Sequence, residues 1–372
     1  MNPVVHDQRF MARAIQLARR GWYTTHPNPR VGCLLVKDGE IVAEGFHRRA
    51  GEPHAERNAL AIAGASARGA TAYVTLEPCC HHGRTPPCTD AFIESGVVRV
   101  VAAMTDPNPR VAGQGLARLR EAGIEVAEGV MRSQAEALNP GFIKRMTRGL
   151  PYVRCKMAMS LDGRTAMADG ESQWITSPAA RADVQRLRAQ SAAILTGIGT
   201  LLADDPSLNV RLSAAALGLE EGVPVPHPVR VVLDPELATP VDAKMLGLQG
   251  PTLIVCSDEQ PVHGAALEAA GAQIAILPGD SQRLDLHQVL QYLGEQEINE
   301  VLLESGATLA GAMMEQGLVD ELIIYQAPHL MGSEGRGLLL LPGISQMSDR
   351  IDLQVTDLRQ VGQDIRITAK LR

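Results

Sequence analysis

Residues 71–88 read TAYVTLEPCCHHGRTPPC, and residues 54–56 read HAE. The longer stretch opens with a β-branched, apolar run that predicts a strand, and it continues directly into closely spaced cysteines. His54, Cys79 and Cys88 offer one imidazole and two thiolates, which are ligands that Zn²⁺ prefers. Three protein ligands leave the fourth tetrahedral position to water, an arrangement typical of catalytic zinc. The pattern therefore predicts a catalytic zinc site next to the end of a strand.

Glu56 lies two residues after His54, and residues i and i+2 do not share one face of a helix. Its carboxylate is therefore expected to reach the water beside the metal rather than the metal itself. There it can take a proton and hand it to a departing amine. His-x-Glu followed by Pro-Cys-x-x-Cys is the signature of zinc deaminases, although here eight residues separate the two cysteines. The residues thus favour deamination, with Glu56 as the catalytic acid and base.

A structural zinc knot is the alternative to a catalytic site. Cys80, His81 or His82 could supply its fourth ligand. A structural knot does not explain why Glu56 lies two residues after His54. A cysteine directly next to Cys79 rarely reaches the same metal. We therefore interpret Cys80 as a bystander. Three further cysteines are interpreted as small core residues: Cys33, Cys155 and Cys256.

The composition narrows the function classes. A length of 372 residues predicts two domains. The net charge of −7 argues against binding duplex nucleic acid or an anionic membrane by bulk charge. An aromatic content of 3% argues against a stacking platform for single strands. Because the chain has neither a long apolar run nor a leader-like start, we expect a cytoplasmic protein without membrane or nucleic-acid partners.

Alternating strand and helix patterns run along the whole chain. Up to about residue 146 they predict a five-stranded sheet with helices on its faces. A basic stretch with glycine and proline, residues 144–151, is predicted as the domain boundary. Beyond it the pattern predicts a second α/β domain with at least one antiparallel strand, Asp364–Leu371. Residues 213–227 are predicted to form an irregular surface loop.

The second half carries only a weak nucleotide-binding signal. Neither G-x-G-x-x-G after a first strand nor G-x-x-x-x-G-K-[ST] occurs there. A predicted strand, Val301–Glu304, does lead through Gly306 into a predicted helix, Ala307–Glu315. Free N–H groups at such a helix start can hold a diphosphate, and glycine lets the ligand approach. An ordinary β–α turn explains the same residues.

Both halves resemble the bifunctional deaminase/reductase family of riboflavin biosynthesis. In the first half the resemblance rests on HAE, TLEPC, HGRTPPC and PNPRVG at 27–32, and the eight-residue cysteine spacing is typical of that family. In the second half it rests on SLDGR at 160–164, SQWITS at 172–177, GIGTLLADDP at 197–206 and ESG at 304–306. The resemblance covers nearly the whole chain.

The resemblance implies an α/β fold in two domains. A cytidine-deaminase-like three-layer domain is expected over residues 1–147 and a dihydrofolate-reductase-like domain over residues 150–372. The first is expected to hold one zinc ion and to deaminate 2,5-diamino-6-(5-phosphoribosylamino)pyrimidin-4-one hydrolytically. The second is expected to use NADPH to reduce the ribosyl side chain to ribityl, giving 5-amino-6-(5-phosphoribitylamino)uracil. A homo-oligomer is also expected.

The resemblance assigns residues to these sites. Positions that match deaminase substrate contacts are Asn28, His47, His81 and Arg84. Positions that match contacts to the nicotinamide cofactor are Ala158, Trp174, Thr200, Asp204, Gly306, Ala307, Thr308, Leu309, Ala310, Gly311 and Ala312. Positions that match contacts to the reductase substrate are Lys156, Ser172, Arg188, Leu208, Arg211 and Glu304. Two of these, Arg188 and Arg211, suit the ribose phosphate as fork-shaped donors. Lys156, Asp204 or solvent could supply the proton for the reduction.

Two other function classes stay open. One is a zinc deaminase of free nucleosides, nucleobases or tRNA whose second domain binds NADPH without chemistry. The acidic charge and the cysteine spacing argue against tRNA. The other is a zinc-stabilised binding or sensor module whose second half binds NADPH without chemistry. Glu56 discriminates between a catalytic and a structural zinc site, because the latter has no need of a carboxylate there.

Overall fold

A computed structural model describes residues 3–81, 86–109, 111–257, 261–278 and 283–371. The chain divides into two units, Met1–Gly149 and Leu150–Arg372. Each unit has its own sheet and its own buried apolar core. His82 and Arg84, which the sequence predicts near the first site, lie outside the described residues.

The first unit contains a five-stranded sheet, as the sequence predicts. Its strands are β1 (Gly32–Lys37), β2 (Glu40–Phe46), β3 (Thr71–Val74), β4 (Arg99–Ala102) and β5 (Glu125–Glu128). Their spatial order is β2-β1-β3-β4-β5, with β1 and β2 antiparallel and β3, β4 and β5 parallel. Asp38 and Gly39, which join β1 to β2, both have positive φ, as a tight two-residue hairpin turn requires. Because β3 and β4 are parallel neighbours, the segments that follow them meet at one edge of the sheet.

Helices accompany this sheet. They are α1 (Pro3–Ala18), α2 (Ala55–Ala63), α3 (Cys88–Ser95), α4 (Gln114–Glu121), α5 (Arg132–Glu136) and α6 (Pro140–Arg148). Part of the predicted boundary stretch, residues 144–148, belongs to α6, which ends at Gly149 in the left-handed conformation. The apolar pattern misses this helix because only Gly141 and Phe142 of it are buried.

The second unit is built on a larger sheet. Its strands are β6 (Tyr152–Met159), β7 (Arg164–Ala166), β8 (Ala193–Gly197), β9 (Val229–Leu233), β10 (Thr252–Cys256), β11 (Ala272–Ile276), β12 (Glu300–Leu303), β13 (Glu321–Gln326), β14 (Arg336–Gly337), β15 (Leu353–Val361) and β16 (Asp364–Leu371). Nine of them form one sheet in the order β11-β10-β9-β8-β12-β6-β13-β16-β15, and β14 pairs separately with β7. In this spatial order, each strand from β11 through β13 runs parallel to the one before it. The strand β16 pairs antiparallel with both β13 and β15. The predicted antiparallel strand is therefore confirmed. The sequence pattern misses β15, whose residues are mostly exposed and lack the alternation of a half-buried strand.

Helices of the second unit connect its strands. They are α7 (Pro178–Gln190), α8 (Ile198–Asp204), α9 (Pro261–Ala269), α10 (Leu286–Glu295) and α11 (Ala307–Glu315). Residues 213–227, predicted as an irregular loop, contain a short 3₁₀ turn at Ala215–Leu217, and Leu217 is buried. Within the described residues, no helix combines the length and the apolar character that crossing a bilayer needs.

Candidate active sites

The three predicted zinc ligands come together in the first unit. His54 caps the start of α2, Cys88 is the first residue of α3, and Cys79 lies in the loop after β3. The Nδ1 atom of His54 lies 3.6 Å from Cys79 Sγ and 3.5 Å from Cys88 Sγ. All three ligand atoms lie within 4.8 Å of one another. This spacing of one nitrogen and two sulfur donors fits a single tetrahedral zinc ion.

Backbone donors hold Cys79 in the ligand group. Its Sγ accepts the N–H of Cys88 at 3.4 Å, and its carbonyl accepts the N–H of Thr89 at 3.2 Å. Cys79 thus lies at the amino end of α3 in space, where the helix dipole favours a thiolate. Arg57 on α2 donates to the carbonyls of residues 86–87 and so anchors the chain that leads into Cys88.

Electrostatics in the ligand group favour the forms that bind metal. A hydrogen bond from the Cys88 thiol, assisted by one from His54, lowers the pKa of Cys79 to about 4. The same hydrogen bond, with burial, raises the pKa of Cys88. A thiolate is the form of cysteine that binds metal, and metal binding releases the proton of the second thiol. The arrangement therefore favours the thiolate form of Cys79.

Glu56 is buried beside the ligand group and does not belong to it. It lies in the first turn of α2 with 3% of its surface exposed. Burial raises the pKa of its carboxyl group to about 6, and it shares a hydrogen bond with the Cys88 thiol. The clustered ligand atoms include none from Glu56. A carboxyl group with a pKa near neutrality, next to a metal site, is suited to passing protons.

The predicted substrate residues Asn28 and His47 form a hydrogen-bonded pair. Asn28 Nδ2 lies 3.0 Å from His47 Nε2, and His47 Nδ1 lies 3.2 Å from the carbonyl oxygen of Pro53. Because a carbonyl can only accept, Nδ1 carries the proton and Nε2 accepts from Asn28. Burial lowers the pKa of His47, which keeps the ring neutral. The ring centroids of His47 and His54 are 5.4 Å apart, so the pair lies directly beside a metal ligand.

The other residues near the cysteines are placed differently. His81 is exposed and Cys80 is half-buried, and neither joins the ligand group. The predicted substrate contact Arg84 lies outside the described residues, as does His82. Within the part of the chain that is described, the structural-knot alternative therefore lacks its fourth ligand.

Asp106 also lies close to the ligand group, although its sequence context, Asp-Pro-Asn-Pro, indicates only a turn. Burial raises the pKa of this carboxyl group to about 6, and the negative charges of Glu77 and Cys79 add to the effect. One of its oxygens accepts the N–H of Asn108 at 2.8 Å. The signal that could have found it is topological, since Asp106 follows the strand that neighbours β3.

In the second unit, charged residues predicted for the reductase meet beside the carboxyl end of β12 and the middle of β6. Arg188 on α7 binds Glu304, with Nε 2.6 Å from Oε1 and Nη2 3.0 Å from Oε2. Nη1 of Arg188 donates to the carbonyl of Asn209 at 3.0 Å. Burial acts to raise the pKa of Glu304, but the neighbouring cations Arg188, Lys156 and Arg211 outweigh burial and lower it. This carboxylate is therefore held in its charged form.

Lys156 and Arg211 are the other cations of this group. Burial lowers the pKa of Lys156, and the charge of Glu304 opposes that change. The backbone N–H of Arg211 donates to Gln185 Oε1 at 2.8 Å. Burial, and then the charge of Arg188, lower the pKa of the Arg211 guanidinium, for which no acceptor is found among the described residues. Arg211 is thus a cation beside the charged pair that is available to an anion.

The start of α11 is open in front of its first turn. Gly306 caps this helix, and its N–H donates to Thr200 Oγ1 at 3.2 Å. A Cβ added at Gly306 would approach only that Thr200 oxygen, at 4.0 Å. Among the described residues, no side-chain cap hydrogen bond is made at this helix start. These residues fit a diphosphate, because exposed N–H groups and the helix dipole both attract an anion there.

Three residues that the resemblance assigns to ligand contacts are buried or tightly packed. Ala310 has no exposed surface, and Leu208 is 3% exposed. A Cβ on Gly311 would lie 2.0 Å from the carbonyl oxygen of Leu340, so the chain packs directly against this glycine. Their assignment to ligand contacts stays a prediction.

The remaining predicted residues lie at the surface or partly below it. Trp174 is 69% exposed, and the guanidinium of Arg181 lies 4.5 Å from its ring centroid. Asp204 is exposed at the end of α8, and Ser172 is half-buried. Ala158 lies two residues after Lys156 in β6 and so shares its face of the sheet.

The fold and the sites define a zinc-binding deaminase domain followed by a reductase-type α/β domain. The family model described as "Cytidine and deoxycytidylate deaminase zinc-binding region" matches residues 4–104. The family model "RibD C-terminal domain" matches residues 151–367. The predicted fold class, a cytidine-deaminase-like domain followed by a dihydrofolate-reductase-like domain, is confirmed.

Relatives cover the whole chain. Riboflavin biosynthesis protein RibD of Escherichia coli (strain K12) is 53% identical over 97% of this chain and 98% of that protein. The structure of Acinetobacter baumannii RibD, form 1, is 45% identical, with a TM-score of 0.90 and 99% of each chain covered. A Thermotoga maritima diaminohydroxyphosphoribosylaminopyrimidine deaminase/5-amino-6-(5-phosphoribosylamino)uracil reductase is 34% identical, with a TM-score of 0.84 and the same coverage. This chain belongs to the RibD family of bifunctional riboflavin biosynthesis proteins.

Proposed function

We propose that this chain catalyses two consecutive steps of riboflavin biosynthesis. Residues 1–147 deaminate 2,5-diamino-6-(5-phosphoribosylamino)pyrimidin-4-one, and residues 150–372 reduce the ribosyl side chain of the product with NADPH. The observation that carries the first step is the grouping of His54, Cys79 and Cys88, with Glu56 buried beside it. Full-length similarity to RibD and to the Thermotoga deaminase/reductase supports the pairing of the two activities.

The deamination exchanges an exocyclic amine for oxygen. One zinc ion held by His54, Cys79 and Cys88 would supply Lewis-acid activation of a water molecule. Glu56 accepts the proton of that water and delivers it to the amine, while a C–O bond forms, the C–N bond breaks and ammonia leaves. Asn28 donates to the adjacent imidazole through its amide nitrogen. Its amide oxygen is then available to one edge of the pyrimidine.

The reduction takes place beside the charged group of the second unit. NADPH supplies a hydride for the opened ribose. Residues 307–309 would bind its diphosphate through their N–H groups, because the start of α11 is open at Gly306. Arg211 binds the phosphate of the substrate, since its guanidinium has no protein acceptor among the described residues. We assign the proton to Lys156, which lies next to Glu304, rather than to Asp204, which is exposed at the end of α8.

Each step can be tested with its own substrate. The zinc-loaded chain is given the diaminopyrimidine with and without NADPH, and ammonia release, NADPH oxidation and product mass are followed. We expect ammonia in both cases and the ribityl product only with NADPH. Deamination without any NADPH oxidation would favour a deaminase with a non-catalytic second domain. Absence of both reactions would favour a binding module.

We further propose that the chain forms a homodimer through β15. This strand ends the large sheet, and its side chains are mostly exposed, with Leu358 at 66% and Val355 at 58%. An exposed edge strand presents unpaired N–H and C=O groups with which another chain can pair. Residues 355–361, VTDLRQV, are self-complementary about Leu358. In an antiparallel pair Leu358 would face Leu358 of the partner subunit, and Asp357 would face Arg359 of the partner subunit, which stabilises the pairing.

A further inference from the structure

Glu77 is a buried carboxylate that neither proposed reaction uses. It lies after β3 and is 3% exposed. One of its oxygens accepts the N–H groups of Asp106 and Gly113, both at 2.9 Å. The other accepts the N–H groups of residues 115–116 at 2.8 and 3.2 Å. Backbone donors from two segments that lie far from Glu77 in sequence therefore converge on its side chain.

Part of this network fixes the amino end of α4. Gly113 is the cap residue of that helix and has no side chain, so Glu77 takes the part of a capping carboxylate from another strand. A Cβ on Gly115 would lie 2.1 Å from the carbonyl oxygen of Pro78. The first turn of α4 therefore packs directly on the chain that leads into Cys79. Only glycine allows this approach.

The other part of the network fixes the segment after β4. The backbone N–H of Glu77 donates to the carbonyl of Met104 at 2.9 Å, while its carboxylate accepts from Asp106. Asp106 lies near enough to Cys79 to be influenced by its charge. Glu77 thus joins the loop that carries the predicted metal ligand Cys79 to the segment that carries Asp106.

We propose that Glu77 is a positioning residue of the deaminase site, which sets Asp106 and its segment against the Cys79 loop and so shapes the substrate side of the metal site. This inference rests on the proposed deaminase function. A carboxylate is needed because it offers two acceptor oxygens and no donor. A glutamine would turn an NH₂ group toward two of the backbone donors, and those donors would lose their acceptor.

The test compares Glu77→Gln with a matched buried carboxylate. We expect Glu77→Gln to raise the deaminase KM for the diaminopyrimidine about ten-fold or more. Its zinc content and its reduction of deaminated substrate should equal those of the wild type. Glu77→Asp keeps both acceptor oxygens and should recover part of the loss. The control is Asp7→Asn, because Asp7 is buried in the same unit and binds Arg99 and Tyr73 rather than site residues. It should lower the Tm and leave the KM unchanged.

Several results would overturn the inference. An unchanged KM in zinc-loaded Glu77→Gln removes the positioning role. If KM rises as much in Asp7→Asn as in Glu77→Gln, the rise in Glu77→Gln comes from general destabilisation. Loss of zinc from Glu77→Gln assigns the residue to metal binding. If Glu77→Gln does not fold, the same KM comparison is made with Glu77→Asp, and a wild-type KM there is contrary. A wild-type chain that does not deaminate overturns the proposed function instead, before any variant is compared.

Discussion

Arg188 and Glu304 form a buried ion pair with two parallel hydrogen bonds, Nε to Oε1 at 2.6 Å and Nη2 to Oε2 at 3.0 Å. Family resemblance points to Arg188 as a phosphate contact, but the structure commits much of its guanidinium to this carboxylate and to the carbonyl of Asn209. Arg188 therefore neutralises and orients Glu304. We therefore propose that the neighbouring Arg211, for whose guanidinium no acceptor is found among the described residues, meets the substrate phosphate.

The two arginines should separate in mutation. Arg211→Ala should raise the reductase KM about ten-fold or more, because a charge-assisted contact is worth about 1.5–3 kcal/mol, with little change in Tm. Arg188→Ala should destabilise the chain by about 3–5 kcal/mol, because it leaves Glu304 buried without its partner. Steady-state kinetics on the deaminated substrate and chemical denaturation measure the two effects. A wild-type KM in Arg211→Ala would show that the phosphate binds elsewhere.

Zinc retention should distinguish the two cysteines that lie in the same loop region. Cys88→Ser should lose most of its zinc, because a hydroxyl is a poor substitute for a thiolate ligand. Cys80→Ser should keep one zinc per chain, because Cys80 lies outside the ligand group. Elemental analysis of the purified variants decides. Full zinc in Cys88→Ser would remove Cys88 from the site.

Glu56→Gln should abolish proton transfer without moving the metal. General acid–base groups contribute about 10²–10⁴-fold, so deamination should fall by that range. Reduction of 5-amino-6-(5-phosphoribosylamino)uracil by NADPH should persist, because the reductase residues belong to the other unit. Ammonia release and NADPH oxidation are followed separately. If the folded variant lost both activities, a single composite site would replace the two-site proposal.

Two glycines of the α11 motif should behave in opposite ways. Gly306→Leu should weaken NADPH binding and leave the chain folded and able to deaminate, because the space at Gly306 is open. Gly311→Ala should destabilise the chain by about 1–3 kcal/mol, because its Cβ would collide with the carbonyl oxygen of Leu340. Titration with NADPH and thermal unfolding measure these effects. Normal NADPH affinity in Gly306→Leu would contradict the placement of the diphosphate.

A charge in the middle of β15 should prevent self-association. Leu358→Asp places two carboxylates against each other in the proposed dimer, where like charges directly opposite destabilise pairing. Val262→Asp is the control, because Val262 is also apolar and is 88% exposed. Sedimentation velocity should give a monomer for Leu358→Asp and a dimer for Val262→Asp. A dimer for both variants would place the interface elsewhere.

Local chemistry and periodicity account for what could be predicted from the sequence. A zinc site restricts both residue type and spacing, so His54, Cys79 and Cys88 could be named from their order along the chain. Helical periodicity located Leu286–Glu295 and Ala307–Glu315 with the bounds that the structure has. Strand patterns predicted the five-stranded sheet of the first unit. In the second unit they missed the exposed strand β15, because it has no buried face.

The sequence could not predict which groups bind each other when they lie far apart along the chain. Glu77 binds the N–H of Asp106, which is 29 residues away, and Arg188 binds Glu304, which is 116 residues away. Many carboxylates and cations along the chain could form such pairs on charge alone. The sequence also could not show that Ala310 and Leu208 are buried, because sequence similarity does not tell which residues face the core.

The sequence by itself determined the metal chemistry, the alternation of elements and the division into two parts, because each depends on residues that are close along the chain. The tertiary structure alone decided which carboxylate Arg188 binds, which backbone donors converge on Glu77 and which predicted site residues are buried. Those outcomes depend on distances of a few ångströms between segments that only the packed sheets bring together. Hydrogen bonds and ion pairs weaken when their partners are moved apart by a few ångströms. Geometry therefore selects one partner among many of the same type.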